Sequence, residues 1–456
     1  QGTFTIIPLI IAIYYSGELV WRDRERKMHE IIDATSLPNW AYMVPKTLAV
    51  AGVLIATLLI SVVAAVMVQL AHGITQVAPG QYLMWYVLPQ VMDLVILAVL
   101  AVFVQALSPN KYVGWGIMVV YLVATITLSN IGFEHPLYLY GQTSTLQLSD
   151  MNGAQIGEAA GWWLRLYWGA VAIILAVLAH LLWRRGTESR LKPRLRGLPR
   201  RLASPAGAVL AAALVVALLS GGFIYYNMDV LNPYRTSDDE ERYLADYEKR
   251  FLQYENVPQP ALTDVKLDVA IYPAKRRMIA TGQYRYINDT GTPIDTLLVR
   301  MRDRATKLVK VDVPGAKLIS DDARFQYRIY RFDTPLAPGA SGTLGFESMR
   351  EQRGFRATGD DVRLVRNGTF LTNDEFSPMI GMNRSGLLSD RATRRKYGLP
   401  DELRPAKLED RSAQARNYVG ADWVRSDITL STAADQVPIA PGRKVSDVTK
   451  DGRRTA

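Results

Sequence analysis

Two kinds of hydrophobic pattern divide the chain. Up to about Asn227 it is built from long apolar runs; beyond that point apolar and polar residues alternate over short stretches. A bilayer-spanning helix needs roughly 20 mostly apolar residues. Five runs meet that length: Leu48 to Ala71, Tyr82 to Leu107, Tyr112 to Phe133, Trp162 to Trp183 and Ser204 to Tyr226. A sixth, Thr3 to Val20, reads as a span cut near its start, because the sequence opens inside an apolar stretch without an initiator Met. The polar half predicts a helix from "SDDEERYLADYEKRFLQYEN", with Ser237 and Glu240 as a capping box and Leu244, Tyr247 and Phe251 on one side. "DVKLDVAIYP" alternates strictly, with Val265, Leu267, Val269 and Ile271 on one face. "TGQYRYIND", "IDTLLVRM", "KLVKVDV", "RFQYRIYRF", "SGTLGFESM" and "DWVRSDITLST" read as further strands. The segment from Asp374 to Arg416 is less regular, with a charged helical "DRATRRKYG", and the chain ends in a basic tail. The expected fold is an α-helical polytopic membrane domain of about six spans, the first truncated. An all-β, antiparallel sandwich or saddle-like extracytoplasmic domain follows it.

Charge adds an orientation. The net charge is +10, and the basic residues gather beside the apolar spans, which argues for membrane topology rather than nucleic acid. The loop Gly17 to Lys46 is basic, "HGITQVAPGQ" has no Lys or Arg, "SPNKY" carries Lys111, and Glu134 to Gly161 again has none. Arg184 to Arg201 carries eight. Basic loops face the cytoplasm, so 17–46 lies inside and everything after about 227 lies outside.

Chemistry is sparse. There are no cysteines, and the four histidines, His29, His72, His135 and His180, all precede the polar half. They read as interfacial packing residues. Neither H-E-x-x-H nor a P-loop occurs, so this stretch has no zinc-peptidase helix and no phosphate cradle. Short N-x-[ST] patterns at Asn288, Asn367 and Asn383 carry no weight. Asp93 sits near the middle of a span, where a carboxylate is costly and marks either function or a polar helix partner. Gln69, Gln105 and Asn130 lie near span ends and read as structural. Arg165, inside "WWLRLYW", reads as an arginine reaching for head groups at the outer interface.

The segment "GELVWRDRERKMHEIIDATSLPNW" is the most distinctive. Trp21, Met28, Ile31 and Ile32 recur at helical spacing, and charged residues cover the remaining faces. The pattern predicts one amphipathic helix to about Thr35, ended by Ser36-Leu37-Pro38, with Asp23 and Lys27 as an i,i+4 pair. Such a helix lies on lipid or docks into another protein's groove.

"ELVWRDRERKMHEIIDATSLPNWAYMVPK" resembles the segment between the second and third spans of ATP-binding-cassette type-2 permeases. In that family a short coupling helix there docks onto the ATPase subunit. The resemblance implies docking through Glu18, Arg22, Arg24, Met28, Glu30 and Ile31. It also implies a first permease half upstream. The outer half, with "YEKRFLQYENVPQPALTDVKLDVAIYP", "NGTFL", "GLP" and "TLSTAADQVPIAPG", resembles the N-terminal β-domain of aminopeptidase-N-like zinc metallopeptidases. Bacterial proteins that fuse the two have this order.

The resemblance implies permease spans over 1–183, with the coupling segment at 17–46, and a basic linker over 184–203. An added span follows over 204–226, then a juxtamembrane linker over 227–260 and the β-domain over 261–456. It places the protein in a bacterial inner membrane, beside lipid, a cassette ATPase and a downstream peptidase domain. No cofactor belongs to this stretch: ATP would sit on the separate subunit and zinc on the downstream domain, so no catalytic residue carries over. The implied function is a transporter permease component fused to the non-catalytic part of a metallopeptidase-like domain. The alternative is a membrane-anchored zinc aminopeptidase whose catalytic domain lies further on.

Overall fold

The computed structural model describes residues 6–143, 147–149, 153–156, 158–186, 191–356, 363–402, 409 and 423–456. The start of the run Thr3 to Val20, parts of the stretch Glu134 to Gly161, positions 187–190, 357–362 and most of 403–422 lie outside the described residues. The chain divides into two compact units: 1–234 with 354–360, and 235–353 with 361–456.

The first unit is helical. Among the described residues five helices are long and apolar enough to cross a membrane. They are α3 (Trp40–Ala71), α4 (Pro79–Leu107), α5 (Lys111–Asn130), α6 (Glu158–Leu181) and α7 (Pro205–Leu231). They coincide with the five long apolar runs. α1 (Ile6–Glu25) is helical too, but every 18-residue window of it holds Glu18, Arg22 and Asp23. Its described part is therefore not among the candidate spans. α2 (His29–Asp33) is one short turn between α1 and α3. A π-helical stretch at Tyr82–Val87, just before Pro89, widens the start of α4. Small residues let the helices close up: Ala98 and Ala101 of α4, Ala12 of α1 and Ala51 of α3 are buried in one core with Leu54 and Met118.

The first two strands of the chain, β1 (Gln147–Ser149) and β2 (Gly153–Ile156), pair with each other before α6 in the helical unit. Among its described residues the second unit has two packed sheets, one long helix and short helices at Asn373–Phe376 and Arg391–Lys396. A seven-stranded sheet has the order β12-β13-β11-β3-β4-β9-β6 and a four-stranded one β10-β5-β8-β7. In the first lie β3 (Ala261–Tyr272), β4 (Arg277–Ile287), β6 (Thr306–Asp312), β9 (Ser341–Glu351), β11 (Arg425–Ala433), β12 (Val448–Lys450) and β13 (Arg453–Thr455). In the second lie β5 (Ile294–Arg300), β7 (Ala316–Asp322), β8 (Tyr327–Leu336) and β10 (Met379–Ile380). Val265, Leu267, Val269 and Ile271 are buried along β3, as their alternation requires, against Leu297, Val299, Tyr330 and Phe332 of the smaller sheet. The other face of that sheet takes Tyr247 and Phe251 of α8 (Ser237–Phe251), with Phe251 stacked on Tyr327 at 4.1 Å.

Three expectations change. The sheet is mixed, because β11 runs parallel to β3 from Arg425 opposite Asp264. β11 arrives long after β9, so no hairpin dictates its direction. The capping box uses Thr236 and Asp239, one residue earlier than Ser237 and Glu240. Glu240 is instead held by Arg304 through two contacts of 2.7 Å. The basic tail is a hairpin of β12 and β13. Asp451 and Gly452 have φ of 52° and 73°, the two left-handed positions that an Asp-Gly turn supplies.

Candidate functional site

α1 ends on the charged stretch "WRDRE". Lys27 then takes a left-handed φ of 57°, which breaks the helix before α2 starts. The single helix expected from Trp21 to Thr35 is therefore two pieces with a turn between them. Asp23 does not pair with Lys27. It meets Lys46 of α3, whose Nζ lies 2.5 Å from its carboxylate and also donates to Leu19 O at 2.8 Å. A partner fixed by helix packing wins over the exposed, entropy-costly i,i+4 pair.

Further ties hold the segment to the span ends. Lys111 at the start of α5 reaches Glu18 at 2.9 Å and Glu25 at 2.8 Å. Arg24 donates to the carbonyls of Arg184 at 2.9 Å and Gly186 at 3.3 Å, and lies 3.7 Å from Asp33. Asp33 accepts from the Gly186 amide at 2.8 Å. Trp21 is buried and donates its Nε1 to Gln105 of α4 at 3.1 Å. Burial of Arg24, then the nearby Arg184, lower its pKa from the usual guanidinium value.

The six docking candidates thus separate. Glu18 and Arg24 face inward and fix the segment. Arg22, Met28, Glu30 and Ile31 face water. Met28 is 47% and Ile31 67% exposed, and Leu37 and Trp40 further along the chain are 50% and 58% exposed. Trp21 leaves the expected stripe for the core.

A second cluster lies inside the helices. Arg165 of α6 is 2% exposed and does not reach for head groups. Its Nη2 donates to Asp93 Oδ2 of α4 at 2.7 Å, and its Nε donates to Pro89 O at 3.3 Å. Thr143 bridges the pair, donating to Asp93 at 3.2 Å. Asp93 therefore has a charged partner that spacing could not reveal, 72 residues away. His135 was also more than a packing residue. It is 4% exposed, its Nε2 is 3.1 Å from Asp229, and its Nδ1 accepts from the Leu137 amide at 3.2 Å. That amide leaves Nε2 to carry the proton toward the carboxylate. "EHP" beside a polar loop was the available signal.

Among the described residues no three His, Cys, Asp or Glu groups converge on one point, and His180 is the last histidine.

No family model matches the sequence. No curated protein matches it either. Among solved structures, the M1 zinc metallopeptidase from Deinococcus radiodurans is similar at a TM-score of 0.25 and 10% identity over 43% of this chain. A mutant of that enzyme bound to a Tyr-Ser-Ala substrate gives 0.25 and 11% over the same share. A two-domain M1 zinc metallopeptidase mutant bound to L-tryptophan gives 0.25 and 12%. The match spans 38% of each of those chains. At this TM-score the likeness carries no argument about activity.

Proposed function

We propose that the helical unit is the permease part of a transporter driven by a separate ATPase, and that the ATPase docks on residues 22–40. In this reading the segment is cytoplasmic, and the β unit is the entry domain of a peptidase-like part on the other side of the membrane. One observation supports docking above all. The segment is held by Lys46, Lys111 and Arg24, while Met28, Glu30, Ile31, Leu37 and Trp40 along it stand exposed. A segment fixed in place with apolar residues exposed suits a protein groove, because its shape is set before the partner arrives.

The test separates docking from attachment to lipid. Glu30→Lys adds positive charge, which strengthens contact with anionic lipid. The same change removes a complementary charge from a docked face and weakens it by about 2 kcal/mol. Met28→Asp weakens both. The full-length permease is expressed with its cognate ATPase, and co-purification and ATP turnover are measured. Loss with both substitutions supports docking. Unchanged co-purification and turnover with Glu30→Lys, beside a clear loss with Met28→Asp, returns the segment to the lipid surface.

A further inference from the structure

A cavity is lined by the ends of α1, α3 and α4, by the residues just after α6 and by α2. Its free space of about 40 Å³ exceeds the roughly 15 Å³ that one water needs. Three nitrogen atoms of its lining residues are buried without a partner: Gln105 Nε2, His29 Nδ1 and Arg184 Nε. The amide of Gln105 cannot be turned round to change this, since its Oε1 accepts from Trp21 Nε1. Gln105 Nε2 and Arg184 Nε can only donate, and His29 Nδ1 donates in one tautomer or when protonated. Among the described residues no fully buried side-chain oxygen of the lining is without a partner.

The charges point the same way. The two lining carboxylates are already matched, Asp23 by Lys46 and Asp33 by Arg24. Arg184 has no carboxylate partner among the described residues; it lies over the Trp21 ring at 5.8 Å. Orphaned donors and one uncompensated guanidinium call for an acceptor that is anionic and has several oxygens. Trp21 and Trp183 line the same cavity at the ends of apolar helices, the level at which lipid head groups lie.

We propose that this cavity binds a phosphate-type oxyanion, presented by an anionic lipid head group, through Arg184, His29 and Gln105. The site does not depend on whether an ATPase docks on the segment. Bound phosphate satisfies the three donors together and ties the basic end of α6 to α1 and α2.

The whole chain is purified in a neutral detergent and its thermal unfolding is followed by tryptophan fluorescence. The probes are dioctanoyl phosphatidylglycerol, dioctanoyl phosphatidylcholine and inorganic phosphate. Phosphatidylglycerol is expected to raise the melting temperature saturably, and phosphatidylcholine not to. Arg184→Gln should raise the half-saturating concentration about tenfold or more, the worth of one charge-assisted hydrogen bond. Arg26→Gln removes an exposed charge outside the cavity and should change it within about twofold, as a screened surface charge does. His29→Ala gives the same reading as Arg184→Gln should the latter not fold. Saturation by inorganic phosphate at lower concentrations than lipid, with the same dependence on Arg184, keeps the oxyanion site and makes free phosphate its source. Absence of saturation with both anions, or saturation indifferent to Arg184→Gln and His29→Ala, overturns the proposal.

Discussion

Asp93 on α4 and Arg165 on α6 meet at 2.7 Å among apolar helices, with the arginine side chain 2% exposed. The partner and the Pro89 and Thr143 oxygens replace part of the lost hydration, while Arg165 Nη1 and Asp93 Oδ1 stay buried without a hydrogen bond. Asp93→Ala leaves the guanidinium buried with no counter-charge and should cost about 3 kcal/mol of stability in detergent. The double variant Asp93→Leu, Arg165→Leu should recover most of that loss, since paired removal leaves no orphan charge. Thermal unfolding of the single and double variants checks this, and a double variant no more stable than Asp93→Ala would count against a paired role.

The hold on the 17–46 segment should depend on Lys46. Lys46→Ala removes the contact to Asp23 and the donation to Leu19 O, worth together about 1 kcal/mol for half-exposed partners. That raises the open fraction of the segment about fivefold. Limited trypsin digestion at Arg26 and Lys27 should speed up by a similar factor, while cleavage elsewhere keeps its rate.

In the β unit, Arg394 and Glu248 form a two-contact pair at 2.7 and 2.9 Å, each 1% exposed. Arg394 also donates to Pro400 O at 2.6 Å and Leu388 O at 2.7 Å. Glu248→Ala should destabilise the unit by about 3 kcal/mol or more. Near-ultraviolet circular dichroism of the whole chain in denaturant reads the loss.

Acid should loosen two helix ends of the β unit. The Thr236 amide and hydroxyl hold Asp239 below the usual carboxylate range, and the Thr393 amide and hydroxyl do the same for Asp390. A depressed folded pKa stabilises above the unfolded value of about 4. That contribution is present at neutral pH and fades as pH falls below about 4 through the lower folded values. Asp390→Asn keeps a cap oxygen but no titration, so its stability should change less between pH 5 and pH 3 than that of the wild type.

Single cysteines test the two sides of the membrane, since the chain has none. Cysteines at the exposed positions Ala34 and Ser341 should differ in labelling by an impermeant maleimide on intact spheroplasts, with only 341 labelled. Labelling of 34 alone would reverse the orientation drawn from the basic loops.

The sequence by itself determined the five long helices and most of the strands. Each rests on a local rule: 20 apolar residues exceed what a strand or loop can use, and strict alternation buries one face of β3. It also marked Asp93 as costly and the 17–40 segment as amphipathic. Tertiary structure decided the partners. Asp23 chose Lys46 over Lys27, Asp93 chose Arg165, and Trp21 went to Gln105 instead of the outer stripe. The hairpin at Asp451-Gly452 was legible from its turn residues, but its basic composition hid it. The parallel pairing of β11 with β3 was not legible, because sequence spacing constrains direction only across short loops. The same limit governs the cavity at Arg184. Gln105, His29 and Arg184 lie on separate elements far apart in the chain, and only helix packing brings them to line one cavity.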